Sequence, residues 1–156
     1  MQLPTKHFGT IDIEEDKILS FADGLPGFPE CRRFFLLHEI KDEPQEDEGL
    51  FSWLQSVDDG DVAFALMDVY MVMPQYDPQV SNDDLAELGE CADEDLLVYN
   101  IAVIPEDIND ISVNLKAPVL INAAQKKGRQ VVAANETYEV RHRIMDELKK
   151  NAEKVG

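Results

Sequence analysis

Cysteine, histidine, basic residues and long apolar runs are all scarce in this chain of 156 residues, and each scarcity removes a class of function. The two cysteines, Cys31 and Cys91, lie sixty positions apart and form no disulfide framework of the kind that staples small secreted domains. The three histidines, His7, His38 and His142, are scattered, and no His or Cys pair has the spacing that holds zinc. There is no G-x-S-x-G elbow, and Gly24-x-x-Gly27 lacks both the Walker spacing and its Lys-Ser/Thr. No run approaches the ~20 apolar residues of a membrane span. The opening residues, Met1-Gln2-Leu3-Pro4-Thr5-Lys6, have neither the basic start nor the apolar core of a secretory signal. The expectation is a cytoplasmic protein with no cofactor, no metal and no assignable catalytic residue. One enzymatic alternative stays open, a Cys–His site formed in space, for which Cys31 and His38 are the nearest pair in sequence.

What the chain has is negative charge. It carries 32 Asp/Glu and 14 Lys/Arg, a net charge of −18. From Ser112 onward nine Lys/Arg face five Asp/Glu, while Met1 to Ile111 holds five against 27, so the excess sits in the first two thirds. Such a body repels nucleic acid and anionic lipid at close range and attracts basic proteins. Solubility is the competing reading of the excess, but it does not explain the lopsidedness. Asp58-Asp59-Gly60-Asp61 lacks the alternating acids, central Gly and distal Glu of a calcium loop and reads as an acidic turn. Lys126, Lys127 and Arg129 read as a solvated basic hairpin tip.

The apolar segments are short, β-branched or aromatic, and punctuated by Gly, Pro and Asp, which is the pattern of an all-β domain. Strands are expected at 3–8, 10–13, 17–21, 34–37, 51–55, 62–69, 96–104, 112–116, 119–122 and 130–134. Pro26 and Gly27 predict a type II turn. Residues 41–49 read as a solvated acidic loop. Ser81 and Asp84 form a capping box for a helix of about two turns, with Gly89 at its end. From Tyr138, Val140, Ile144, Leu148 and Ala152 recur every four residues and predict a C-terminal amphipathic helix. The fold class is mainly β, a small antiparallel barrel-like or sandwich domain.

Four segments carry more specificity than any catalytic motif. They are Gly24-Leu25-Pro26-Gly27-Phe28, Trp53-Leu54-Gln55-Ser56-Val57-Asp58, Ser112-Val113-Asn114-Leu115-Lys116-Ala117-Pro118, and Gly128-Arg129-Gln130-Val131-Val132 followed by Tyr138-x-x-Arg141-His142-Arg143. In this order and spacing they resemble the flagellar assembly factor FliW family, over residues 1–143. The resemblance implies a β-barrel-like domain, with 144–156 as a helical extension of the same domain. It also implies two protein partners: flagellin, and CsrA, a small basic RNA-binding regulator whose repression of flagellin mRNA the factor relieves. No catalytic residue is implied. Motif position nominates Pro26, Gly27 and Phe28, the sole tryptophan Trp53, the acidic tip Asp58, Asp59 and Asp61, and the outward positions Asn114 and Lys116 as partner-binding residues. Turn formation, core packing or simple solvation is the alternative at each. A general acidic mimic of nucleic acid is a third functional reading, and it predicts promiscuous capture of basic proteins.

Overall fold

Segments that read as continuous apolar runs do so because one sheet is buried on both faces. The computed structural model describes residues 1–38 and 51–147; the expected acidic loop at 41–49 and the helix positions Leu148 and Ala152 lie outside them. The strands are β1 (Gln2–Thr5), β2 (Gly9–Asp12), β3 (Leu19–Ser20), β4 (Arg33–His38), β5 (Phe51–Ser56) and β6 (Ala63–Met67). After the helix α1 (Asn82–Leu88) come β7 (Leu96–Val103), β8 (Ser112–Val113), β9 (Val119–Asn122), β10 (Lys127–Gln130) and β11 (His142–Arg143).

β1 and β2 form a hairpin of their own. The other strands make one sheet in the order β11-β8-β7-β6-β5-β4-β3-β10-β9, and β9 also pairs with the first half of β7. The pairings are antiparallel except for β3 with β10, which meet in parallel at Ser20 and Lys127. The mainly β, barrel-like reading therefore holds.

Along β6 the period of two sends Ala65 and Met67 to one core and Leu66 to another. The first core gathers Met67, Val69, Tyr76, Val113, Leu115 and Ile144. The second gathers Leu19, Phe21, Phe34, Leu54 and Ile121, with the Phe21 and Phe34 rings edge to face at 5.0 Å. Leu88 of α1 packs on Leu120 and Val131 in a third, smaller cluster.

Three expectations change. The C-terminal helix does not begin at Tyr138, because β11 pairs with β8 and the first helical residue is Ile144. Val140 accordingly stands 60% exposed, whereas Ile144 is buried. The basic turn shifts too. The chain reverses over residues 123–126, Lys126 takes a φ of 57°, and Lys127 to Gln130 are strand. Residues 131–134, expected as strand, follow it without regular structure.

Gly128 is thus not a turn glycine. A Cβ there would fall 2.2 Å from the Phe21 ring, inside the second core. Gly128→Ala is expected to destabilise the fold by about 1–3 kcal/mol through overpacking. Urea unfolding reads the loss directly, and an unchanged midpoint would show that the Phe21 ring shifts freely.

Candidate protein-interaction site

The sequence-nominated residues separate into three places. The first is the turn at Pro26. Phe28 N–H donates to Leu25 O at 2.8 Å and Gly27 has a φ of +85°, as a type II turn requires. Pro26 and Gly27 are exposed, while Phe28 is half-buried with its ring edge on Phe64 at 5.5 Å. Beside the turn lies a cavity of about 360 Å³ that reaches Arg129.

Arg129 is the opposite of a solvated tip. Its guanidinium binds the Asp84 carboxylate of α1, with Nε to Oδ1 at 3.0 Å, and the Asp23 carboxylate that precedes the turn. The Asp84 hydrogen bond, followed by that of Asp23, holds its pKa above the ordinary value. One strand residue therefore ties the helix to the Pro26 turn.

The second place is the acidic turn after β5. Asp58 accepts from the Arg32 and Arg33 amides, each at 2.9 Å, and its Oδ1 contacts the Arg33 guanidinium at 2.8 Å. Burial opposes its charge, but these bonds outweigh burial and hold the carboxyl below its ordinary 3.8. Asp59 Oδ1 accepts from the Asp61 amide, and both side chains are exposed. Gly60 N-terminal hairpin contact explains the glycine here: Lys6 N–H donates to Gly60 O, and a Cβ on Gly60 would meet Pro4 O at 2.3 Å. Trp53 is half-buried, its ring against Phe8 of the same hairpin at 5.5 Å. These residues seat the β1–β2 hairpin on the sheet.

The third place joins Asn114 and Lys116, which are half-buried and bonded within the chain. Asn114 Oδ1 accepts from the Ala117 amide, and Lys116 Nζ donates to Asn135 O at 2.7 Å. Asn135 in turn holds the 77–79 backbone.

A fourth place was not nominated from the sequence. Around α1 the carboxylates of Asp83, Glu87, Glu90, Asp93 and Glu94 are exposed. Of these, Glu90 lines a groove of about 680 Å³ with Leu85, Ala86, Leu88 and Leu96 in its wall, and Leu85 is exposed, whereas Glu87 faces a separate cavity shared with Lys127 and Arg129. Ser81 Oγ accepts from the Asp84 amide at 3.2 Å and donates to Asp84 Oδ2 at 3.1 Å, so Ser81 caps the helix as expected, with the Asp84 carboxylate bound to the Ser81 hydroxyl and not to its amide. Asp83 and Asp84 suit the helix N-terminus, but Glu87 sits in the last turn, where the helix dipole disfavours an anion. The signal in the sequence is a gap: no Lys or Arg occurs between Lys41 and Lys116.

Cys31 is 1% exposed within the second core, which removes it as an accessible nucleophile. Among the described residues no His, Cys, Asp or Glu group is placed to hold a metal ion, and no helix is long and apolar enough to cross a membrane.

Fold and surfaces together define a small, mainly β protein of barrel-like architecture whose exposed chemistry is acidic with apolar patches. The family model described as FliW protein matches residues 2–144. The flagellar assembly factor FliW of Lachnoclostridium phytofermentans is 37% identical over 154 residues, 99% of this chain and 97% of that one. Its counterpart in Alkaliphilus metalliredigens is 37% identical over 98% of this chain and 91% of its own length. A crystal structure of the flagellar assembly factor FliW superposes with a TM-score of 0.80 at 31% identity, covering 92% of this chain and 96% of that chain. The chain belongs to the FliW family of flagellar assembly factors.

The Asp58 clamp yields a pH prediction. Its folded pKa lies below the unfolded value, so its stabilisation is present above about pH 4 and is lost as pH falls through the lowered value. Asp58→Asn is expected to cost about 1–2 kcal/mol at neutral pH, a figure moderated by partial solvent exposure. The gap between variant and parent should narrow as the pH of urea melts is lowered from about 5 to about 2. A gap independent of pH would show that the Asp58 charge contributes nothing.

Proposed function

We propose that this chain is a cytoplasmic partner switch that acts by binding alone. It holds flagellin before export; once flagellin is drained by secretion, it binds CsrA and relieves repression of flagellin mRNA. Family membership supports the reading. The single observation that carries the CsrA half is the α1 shelf, an apolar groove with Glu90 in its wall and the exposed Asp93 and Glu94 on the chain between its wall residues Cys91 and Leu96. A basic, RNA-binding partner is the complement of that surface. Long-range attraction to a chain of net charge −18 speeds its arrival, and the groove supplies the shape that charge alone lacks.

The same charge acts on RNA, but only at short range. At physiological salt the Debye length is about 8 Å, so shelf carboxylates repel RNA phosphates only when these lie within roughly that distance. Antagonism is electrostatic if the RNA track on CsrA passes so close, and allosteric if it does not. RNA displacement across a salt series separates the two, since allosteric antagonism persists at high salt wherever binding persists.

The test is a triple neutralisation, Glu90→Gln with Asp93→Asn and Glu94→Gln, leaving the structural Asp84 untouched. Exposed charge contacts contribute on the order of 0.5 kcal/mol each, so CsrA affinity should fall about tenfold and its salt dependence should flatten. Flagellin binding should not change. Undiminished CsrA affinity would remove the shelf from the interface. Equal capture of an unrelated basic protein by the parent chain would favour the general nucleic-acid mimic.

A further inference from the structure

β3 leaves β4 early. The two pair only at Leu19 with Phe34 and at Ser20 with Arg33, and the chain before them turns through a 3-10 segment at Glu15–Lys17. β4 runs on to His38 along β5. Val57 N–H donates to Arg33 O, so in this register Arg33, Phe35 and Leu37 turn their backbone groups toward β5. Those of Leu36 therefore face the side that β3 has left. No described strand pairs with them there. Among the described residues this edge is open, and an open strand edge is a template for another chain.

The edge borders a cavity of about 300 Å³ whose wall includes Leu19, Leu36, Leu97 and Ile121, together with Lys17 and Lys126. Leu19 and Ile121 are buried members of the second core, and Leu36 and Leu97 pack on it half-buried. The cavity is thus a mouth opening onto core side chains. The two ammonium groups are unusual company in so acidic a chain. Lys17 is one of only five Lys/Arg among residues 1–111. Its contact with Glu14, at 3.3 Å, is an exposed pair that holds it weakly. Lys126 has no ion pair among the described residues and is exposed.

We propose that this mouth docks an extended segment of a partner protein that carries apolar side chains beside a carboxylate. An apolar side chain enters the cavity, the carboxylate meets Lys17 and Lys126, and the main chain continues the sheet at Leu36. Charge decides the occupant: a basic segment is repelled by the two lysines and drawn to the α1 shelf, whereas an acidic segment finds cations beside apolar surface here. The inference rests on the two-partner reading above and gives the mouth to the partner that is not the basic regulator.

The test uses two probes. One is purified flagellin, measured by calorimetry. The other is a capped pentapeptide alternating leucine with aspartate, together with its asparagine counterpart, measured by amide chemical shifts to millimolar concentration. The aspartate peptide should move the amides of Leu36, Leu97, Ile121 and Lys126, and the asparagine peptide should bind more weakly. Lys17→Glu combined with Lys126→Glu should weaken both probes about tenfold or more, and Ala123→Trp, which fills the mouth from an exposed position, should do the same. CsrA affinity, measured alongside, should hold, which also shows that the variants are folded. Peptide shifts absent from the mouth, or flagellin binding undiminished in both variants, would overturn the proposal. Flagellin failing to bind the parent chain while the peptide maps to the mouth would leave this site standing and sink the flagellin half of the proposed function.

Discussion

The Asn100 side chain sits where β7 changes partners. Leu96 to Tyr99 pair with β9, Asn100 to Ala102 pair with β6, and Ala102 and Val103 pair with β8. Asn100 is fully buried, so its amide must find acceptors within the protein. It donates to Tyr76 Oη at 3.1 Å and to Asn114 O at 2.7 Å, and Tyr76 in turn donates to Leu115 O at 2.6 Å. Burial pushes the Tyr76 phenol up to about 12, against the smaller opposing effect of the Asn100 hydrogen bond, so it stays a neutral donor at physiological pH. This network fixes where β8 leaves the sheet and anchors the 76–79 segment that covers the first core.

The two proposed binding places meet on the same strand. Leu96 borders the acidic shelf and Leu97 borders the cationic mouth. Consecutive strand residues point to opposite faces with Cα atoms about 3.8 Å apart. The shelf and the mouth therefore open on opposite faces of the sheet, and under the proposed reading the sign of the local charge selects which partner each receives.

Strand periodicity made the architecture legible because each strand's burial obeys a local rule. The capping box at Ser81 and the turn at Pro26 were equally readable, since both are set by neighbours in sequence. What escaped was set by distant residues. Lys126, Lys127 and Arg129 looked like a hairpin tip, but Gly128 among them lies in a strand, where its lack of a Cβ makes room for Phe21. Arg129 looked solvated, but its partners, Asp84 and Asp23, are remote in the chain. The four-residue spacing of Val140 and Ile144 imitated a helix, yet pairing of β11 with β8 holds residues 142–143 extended. Asp58, Asn114 and Lys116 lie in motifs that mark the family, and the structure gives each an internal bond. The α1 shelf escaped because capping already accounted for Ser81 and Asp84, and exposure of the other acids is not written in local sequence.

Docking of the basic partner on the α1 shelf is read by amide hydrogen exchange of the full chain, alone and saturated with CsrA. Slowed exchange should concentrate over residues 82–96, with the β1–β2 hairpin unchanged. Protection confined to the hairpin and the turn around Asp58, with residues 82–96 unaffected, would contradict it.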